Sequence, residues 1–63
     1  MKKTIDLLNE VVNMGFEREQ ALADIDDSLD EVIGFENRKT LTEEEITDEL
    51  YNDILEGFKC EMN

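Results

Sequence analysis

Val11-Val12-Asn13-Met14-Gly15-Phe16-Glu17-Arg18-Glu19-Gln20-Ala21-Leu22 is the stretch on which the fold turns. An apolar-periodic run enters it, a glycine stands where a left-handed helix end is needed, and a second periodic run leaves it. Upstream, with an advance of about 100° per residue, Ile5, Leu7, Leu8, Val11, Val12 and Met14 fill one half of a helical wheel. Asp6, Asn9, Glu10 and Asn13 fill the other half. The spacing predicts helix 1 over about 4–14, with a face wide enough to touch two neighbours. Downstream, Ala21, Leu22, Ile25, Leu29, Val32 and Ile33 fall within a stripe of roughly 120°, and no Gly, Pro or Asn interrupts it. One continuous helix 2 over about 17–34 is therefore preferred to two short ones, turning back on helix 1 at Met14–Gly15–Phe16.

Residues 36–40 lack periodicity and read as a connection. Thr42 followed by Glu45 has the form of a capping box, with Glu43 and Glu44 favouring the positive end of a helix and Leu41 placed to staple onto Ile46. Helix 3 is accordingly expected over about 43–59, with Ile46, Leu50, Tyr51, Ile54, Leu55 and Phe58 on one side. The expected architecture over 1–63 is a small all-α, three-helix single domain: a helical hairpin plus a third amphipathic helix. The apolar faces of helices 1 and 3 exceed the stripe of about 100° that one packing surface needs, so a homo-oligomer such as a dimer, or a hydrophobic partner, is compatible with them.

Composition narrows the functional classes. Sixty-three residues carry 18 acidic and 6 basic side chains, no histidine and one cysteine, for a net charge of −12. A chain this short buries only about 60% of its unfolded surface, which leaves little room for an enclosed active site. Without histidine no Cys/His or Ser/His/Asp nucleophile can be assembled, and no zinc ligand set exists. Asp24, Asp26, Ser28 and Asp30 imitate the alternating acids of a calcium loop, but Leu29 stands where that loop requires glycine and Phe35 where it requires glutamate. The expectation is a non-enzymatic protein with no metal and no cofactor. No apolar run approaches the roughly 18–20 residues of a membrane span, and no secretory leader pattern is present, so a soluble, cytoplasmic protein is expected. Cys60 cannot form an internal bridge, which fits a reducing compartment, and Glu61 after it disfavours a prenylation signal.

The acid is blocked: residues 17–36 and residues 42–63 each hold eight acidic side chains and one basic one. Such surfaces repel nucleic acid and anionic membrane and attract a basic partner. Asp26 with Asp30, Asp27 with Glu31, and Glu45 with Glu49 and Asp53 are like-charge neighbours four apart, each pair costing about 0.2–0.5 kcal/mol on a helix.

Residues 11–22, a helix followed by Met-Gly-Phe and a helix opening Arg-Glu-Gln-Ala-Leu, resemble the first half of ubiquitin-associated (UBA) domains; the resemblance covers about residues 5–25. It implies a three-helix fold in which Met14, Gly15 and Phe16 form part of the apolar surface that receives ubiquitin. Small acidic proteins led by Met-Lys-Lys are also similar in type to inhibitors encoded by bacterial viruses (phages).

Two modes of action follow. In the first, a protein-interaction module binds a macromolecular partner through an apolar surface around Met14, Gly15 and Phe16 together with Tyr51 and Phe58 of helix 3. In the second, Asp27, Glu31, Glu45, Glu49 and Asp53 mimic nucleic acid and occlude the basic groove of a DNA- or RNA-binding protein, which acts as an inhibitor's surface would. Neither mode involves direct binding of nucleic acid or membrane.

Overall fold

The computed structural model describes residues 1–62. In chain order they form β1 (Lys2–Lys3), α1 (Thr4–Asn13), α2 (Arg18–Ile33), a 3-10 turn (Phe35–Asn37), β2 (Glu45–Ile46) and α3 (Asp48–Met62). The fold is the expected small all-α, three-helix arrangement, with one minor addition: β1 and β2 pair antiparallel, Lys2 opposite Ile46 and Lys3 opposite Glu45. Among the described residues no helix is long and apolar enough to cross a membrane.

The corner behaves as its residues dictate. The Met14 and Gly15 amides close the end of α1 on the carbonyls of Glu10, Val11 and Val12, and Gly15 takes φ +113°, a backbone that side-chain-bearing residues rarely adopt. The chain then re-enters helix at Arg18. The second helix runs unbroken to Ile33.

α1 lies between the other two helices and packs against both, as its wide apolar face requires. Leu7, Leu8 and Val11 meet Ala21, Ile25 and Leu29 of α2 and Tyr51, Leu55 and Phe58 of α3, with Ile46 of β2 completing the core. Each fully buried Leu or Ile side chain contributes about 1.5–3 kcal/mol relative to exposure. α2 and α3 approach each other less closely than either approaches α1, which leaves a cleft between them.

The start of the third helix departs from the sequence reading. α3 opens at Asp48 rather than near residue 43, and Thr42 and Glu45 form no capping box. The cap is Thr47, whose Oγ1 accepts from the Leu50 amide at 3.1 Å, with Asp48 and Glu49 taking the favourable acidic positions in the first turn. Residues 41–43 form a turn, and Glu45 and Ile46 are extended. Two side chains explain this: Ile46 is buried from its strand position, and Glu44 is drawn into the protein by an arginine. Glu45 therefore stands outside the helical row it was expected to share with Glu49 and Asp53.

Val32 is the other correction. It shares the apolar stripe of α2 yet is 64% exposed. Val32 lines the cleft with residues of α3, whereas its neighbour Ile33 packs against the core.

Arg38 organises the connection. Its Nε donates to Glu44 Oε2 at 2.7 Å, one NH group donates to Asp30 Oδ1 at 2.7 Å and to the Asp26 carbonyl at 3.0 Å, and the other donates to Asp26 Oδ1 at 2.9 Å. Glu44 also accepts from the Lys39 amide and from Thr4 Oγ1, while its own carbonyl accepts from the Thr4 amide. One guanidinium thus joins α2, the connection and the start of α1. The Asp26–Asp30 pair, costly by sequence, is bridged rather than repelled.

Candidate functional site: an acid-walled groove between two helices

The apolar residues singled out by sequence are largely engaged inside the fold. Met14 and Phe16 are half-buried, and the Phe16 ring meets Phe58 edge-on, with centroids 5.1 Å apart and planes at 74°. Such a pair is worth about 0.5–1.5 kcal/mol beyond the area it buries. Tyr51 is buried, donates its hydroxyl hydrogen bond to Glu10 and carries the Lys2 ammonium over its ring at 4.4 Å. Burial first, and then the carboxylates of Glu10 and Asp6, push the Tyr51 phenol up to about 12. Gly15 is committed to the turn. These five residues are not presented together as an open surface.

The acids divide differently. Asp27 and Glu31 from α2 and Asp53 from α3 line one groove of about 490 Å³, whereas Glu45 borders a separate hollow near Met1 and Glu49 lines neither. Sequence reasoning missed the remaining lining: Asp24, Ser28 and Val32 on α2, and Leu50, Ile54, Gly57 and Glu61 on α3, beside Phe58. A signal for some of them existed. Val32, Leu50 and Ile54 all belong to the apolar stripes of their helices, but membership of a stripe does not say which of its residues the packing leaves uncovered.

The groove is lined by the apolar Leu50, Ile54 and Phe58, by the exposed Val32, and by five carboxylates, from Asp24, Asp27, Glu31, Asp53 and Glu61. No Lys or Arg lines it. Among the described residues Asp27, Glu31 and Asp53 take part in no ion pair, in contrast to Asp26 and Asp30 on the same helix, which Arg38 bridges. With no cation in its lining, the groove keeps an unbalanced negative charge beside its apolar residues. Among the described residues no three acidic or thiol side chains converge as a metal cage.

Gly57 sits in this lining, in the middle of α3 where glycine costs about 0.8–1.0 kcal/mol relative to alanine. Its φ is ordinary, and a Cβ built there would meet nothing within 4 Å. Nothing inside the protein requires the missing side chain. The effect is a low point in the groove wall.

Two exposed apolar side chains also stand out at the end of α2: Val32 and, three residues on, Phe35, which is 81% exposed on the 3-10 turn. No family model, curated protein or solved structure matches this sequence.

Proposed function

We propose that the protein is a non-enzymatic interaction module that engages a basic partner protein through the face between α2 and α3. The observation that carries this reading is the groove itself: five carboxylates without a compensating cation beside an apolar lining. The carboxylates supply long-range attraction and orientation, and the apolar lining supplies short-range burial. The same acids also support occlusion of a basic nucleic-acid-binding surface, as a phage-type inhibitor would do, but a phosphate mimic has no use for the apolar lining, which favours the first reading. The exposed, unpaired Cys60 supports a reducing compartment, and we place the protein in the cytoplasm.

Charge reversal tests the reading. One variant carries Asp27→Lys, Glu31→Lys and Asp53→Lys inside the groove; its control carries Glu19→Lys, Glu36→Lys and Glu49→Lys on exposed positions outside it, with the same change in net charge. Binding of a decalysine peptide is expected to weaken about tenfold or more in the groove variant and far less in the control. Equal weakening in both would mean that net charge alone attracts the peptide, and the reading would fail.

A further inference from the structure

Resting on that reading, we infer that the occupant of the groove is a single amphipathic helix of a partner protein, its apolar stripe flanked on both sides by Lys or Arg. The groove extends from Asp24 to Val32 along α2 and from Leu50 to Glu61 along α3, about 12 Å and 16 Å at the helical rise, which matches two to three turns of a docked helix. Both walls are helices whose backbone donors and acceptors are already paired within themselves, so an extended peptide would find no strand edge to join. A helix brings its own backbone satisfied and offers only side chains. Because α2 and α3 each pack on α1 and splay from one another, an added helix opposite α1 completes a four-helix packing around the cleft.

Charge decides the flanks. Acids stand on both walls, Asp24, Asp27 and Glu31 on one and Asp53 and Glu61 on the other, so cations are matched on each side of the central apolar stripe that meets Val32, Leu50, Ile54 and Phe58. A second copy of this chain does not fit: α1 carries no Lys or Arg, α2 carries only Arg18 and α3 only Lys59, on a molecule of charge −12. Gly57 is the point of closest approach. Its bare Cα lets the backbone of the incoming helix descend into the cleft where any side chain would hold it off.

The experiment compares two synthetic fourteen-residue peptides of one Leu/Lys/Ala composition against the full chain in about 0.05 M NaCl, where charges are screened only weakly. One peptide places Leu on a single helical stripe with Lys on both flanks; the other has the same residues scrambled so that no stripe forms. The striped peptide is expected to bind about tenfold or more tightly and to gain helical circular dichroism on binding. Equal affinity for both would overturn this inference while leaving the acidic face as a docking site, the behaviour a nucleic-acid mimic would give. If neither peptide bound, the inference and the reading beneath it would fall together.

Discussion

The Arg38 guanidinium lies 2.7 Å from Glu44 Oε2, and the two side chains are 13% and 4% exposed, which makes this pair the most deeply placed ionic contact among the described residues. Hydrogen bonding to Glu44, opposed by burial and reinforced by Asp26 and Asp30, holds the guanidinium even more firmly protonated than usual. Asp26 and Asp30 are 44% and 37% exposed and contribute less each. Removing the arginine leaves three carboxylates facing one another, one of them almost out of water.

Arg38→Ala is therefore expected to cost about 2–4 kcal/mol, a large share of the stability of so small a chain. Arg38→Lys is expected to recover less than half, since one ammonium cannot reproduce the fork that serves three partners. Urea denaturation followed by circular dichroism measures both. A loss below about 0.5 kcal/mol for Arg38→Ala would mean that the hub is incidental.

Tyr51 gives the fold an alkaline limit. Its phenol titrates at 10.0 when unperturbed and at about 12 in the folded protein, so the stabilisation from keeping it protonated is complete below pH 10 and is lost as pH rises towards 12. As the chain has one tyrosine and no tryptophan, phenolate absorbance reports this residue alone. The titration should lie well above that of free tyrosine, with stability falling over the same window. An unshifted titration with the protein still folded would contradict the buried Tyr51–Glu10 contact.

Added salt is expected to stabilise the protein. The pairs Asp27–Glu31 and Glu49–Asp53 remain unbridged on their helices, and screening them between about 0.05 M and 0.5 M NaCl recovers roughly 0.5–1 kcal/mol. The buried Arg38–Glu44 contact is screened much less. Lower stability at the higher salt concentration would show that the ionic hub outweighs the exposed repulsions.

Gly57→Ala is expected to raise stability by about 0.5–1 kcal/mol, because the backbone is already helical and the added methyl group meets open space. Thermal unfolding gives the answer directly. Destabilisation would mean that the groove wall is tighter than its geometry indicates.

How much of this was legible in the sequence differs from feature to feature. The corner at Gly15 is a local matter of periodicity and one backbone angle, and three amphipathic helices follow from side-chain spacing alone. The start of α3 is read at Thr42 from a local capping pattern, whereas the cap is Thr47; Glu44 is instead held by Arg38, and that contact spans six residues with no periodic signature. Asp26 and Asp30 looked like mutual repulsion for the same reason, since their cation arrives from a connection without pattern. Phe16 and Phe58, both read from sequence as partner-binding candidates, meet each other edge-on, a pairing across 42 positions that no local rule supplies. The groove itself depends on the splay of α2 from α3, which is set by how both pack on α1.

Filling that groove tests the central claim most directly. Gly57→Leu places a side chain at a cleft-lining position where an added Cβ meets nothing within 4 Å and a good helix former replaces glycine. The account predicts that the variant remains folded, with a thermal midpoint no lower than that of the parent, while its affinity for the striped Leu/Lys peptide falls about tenfold or more. A folded Gly57→Leu protein that bound the peptide as tightly as the parent would place the docking surface elsewhere.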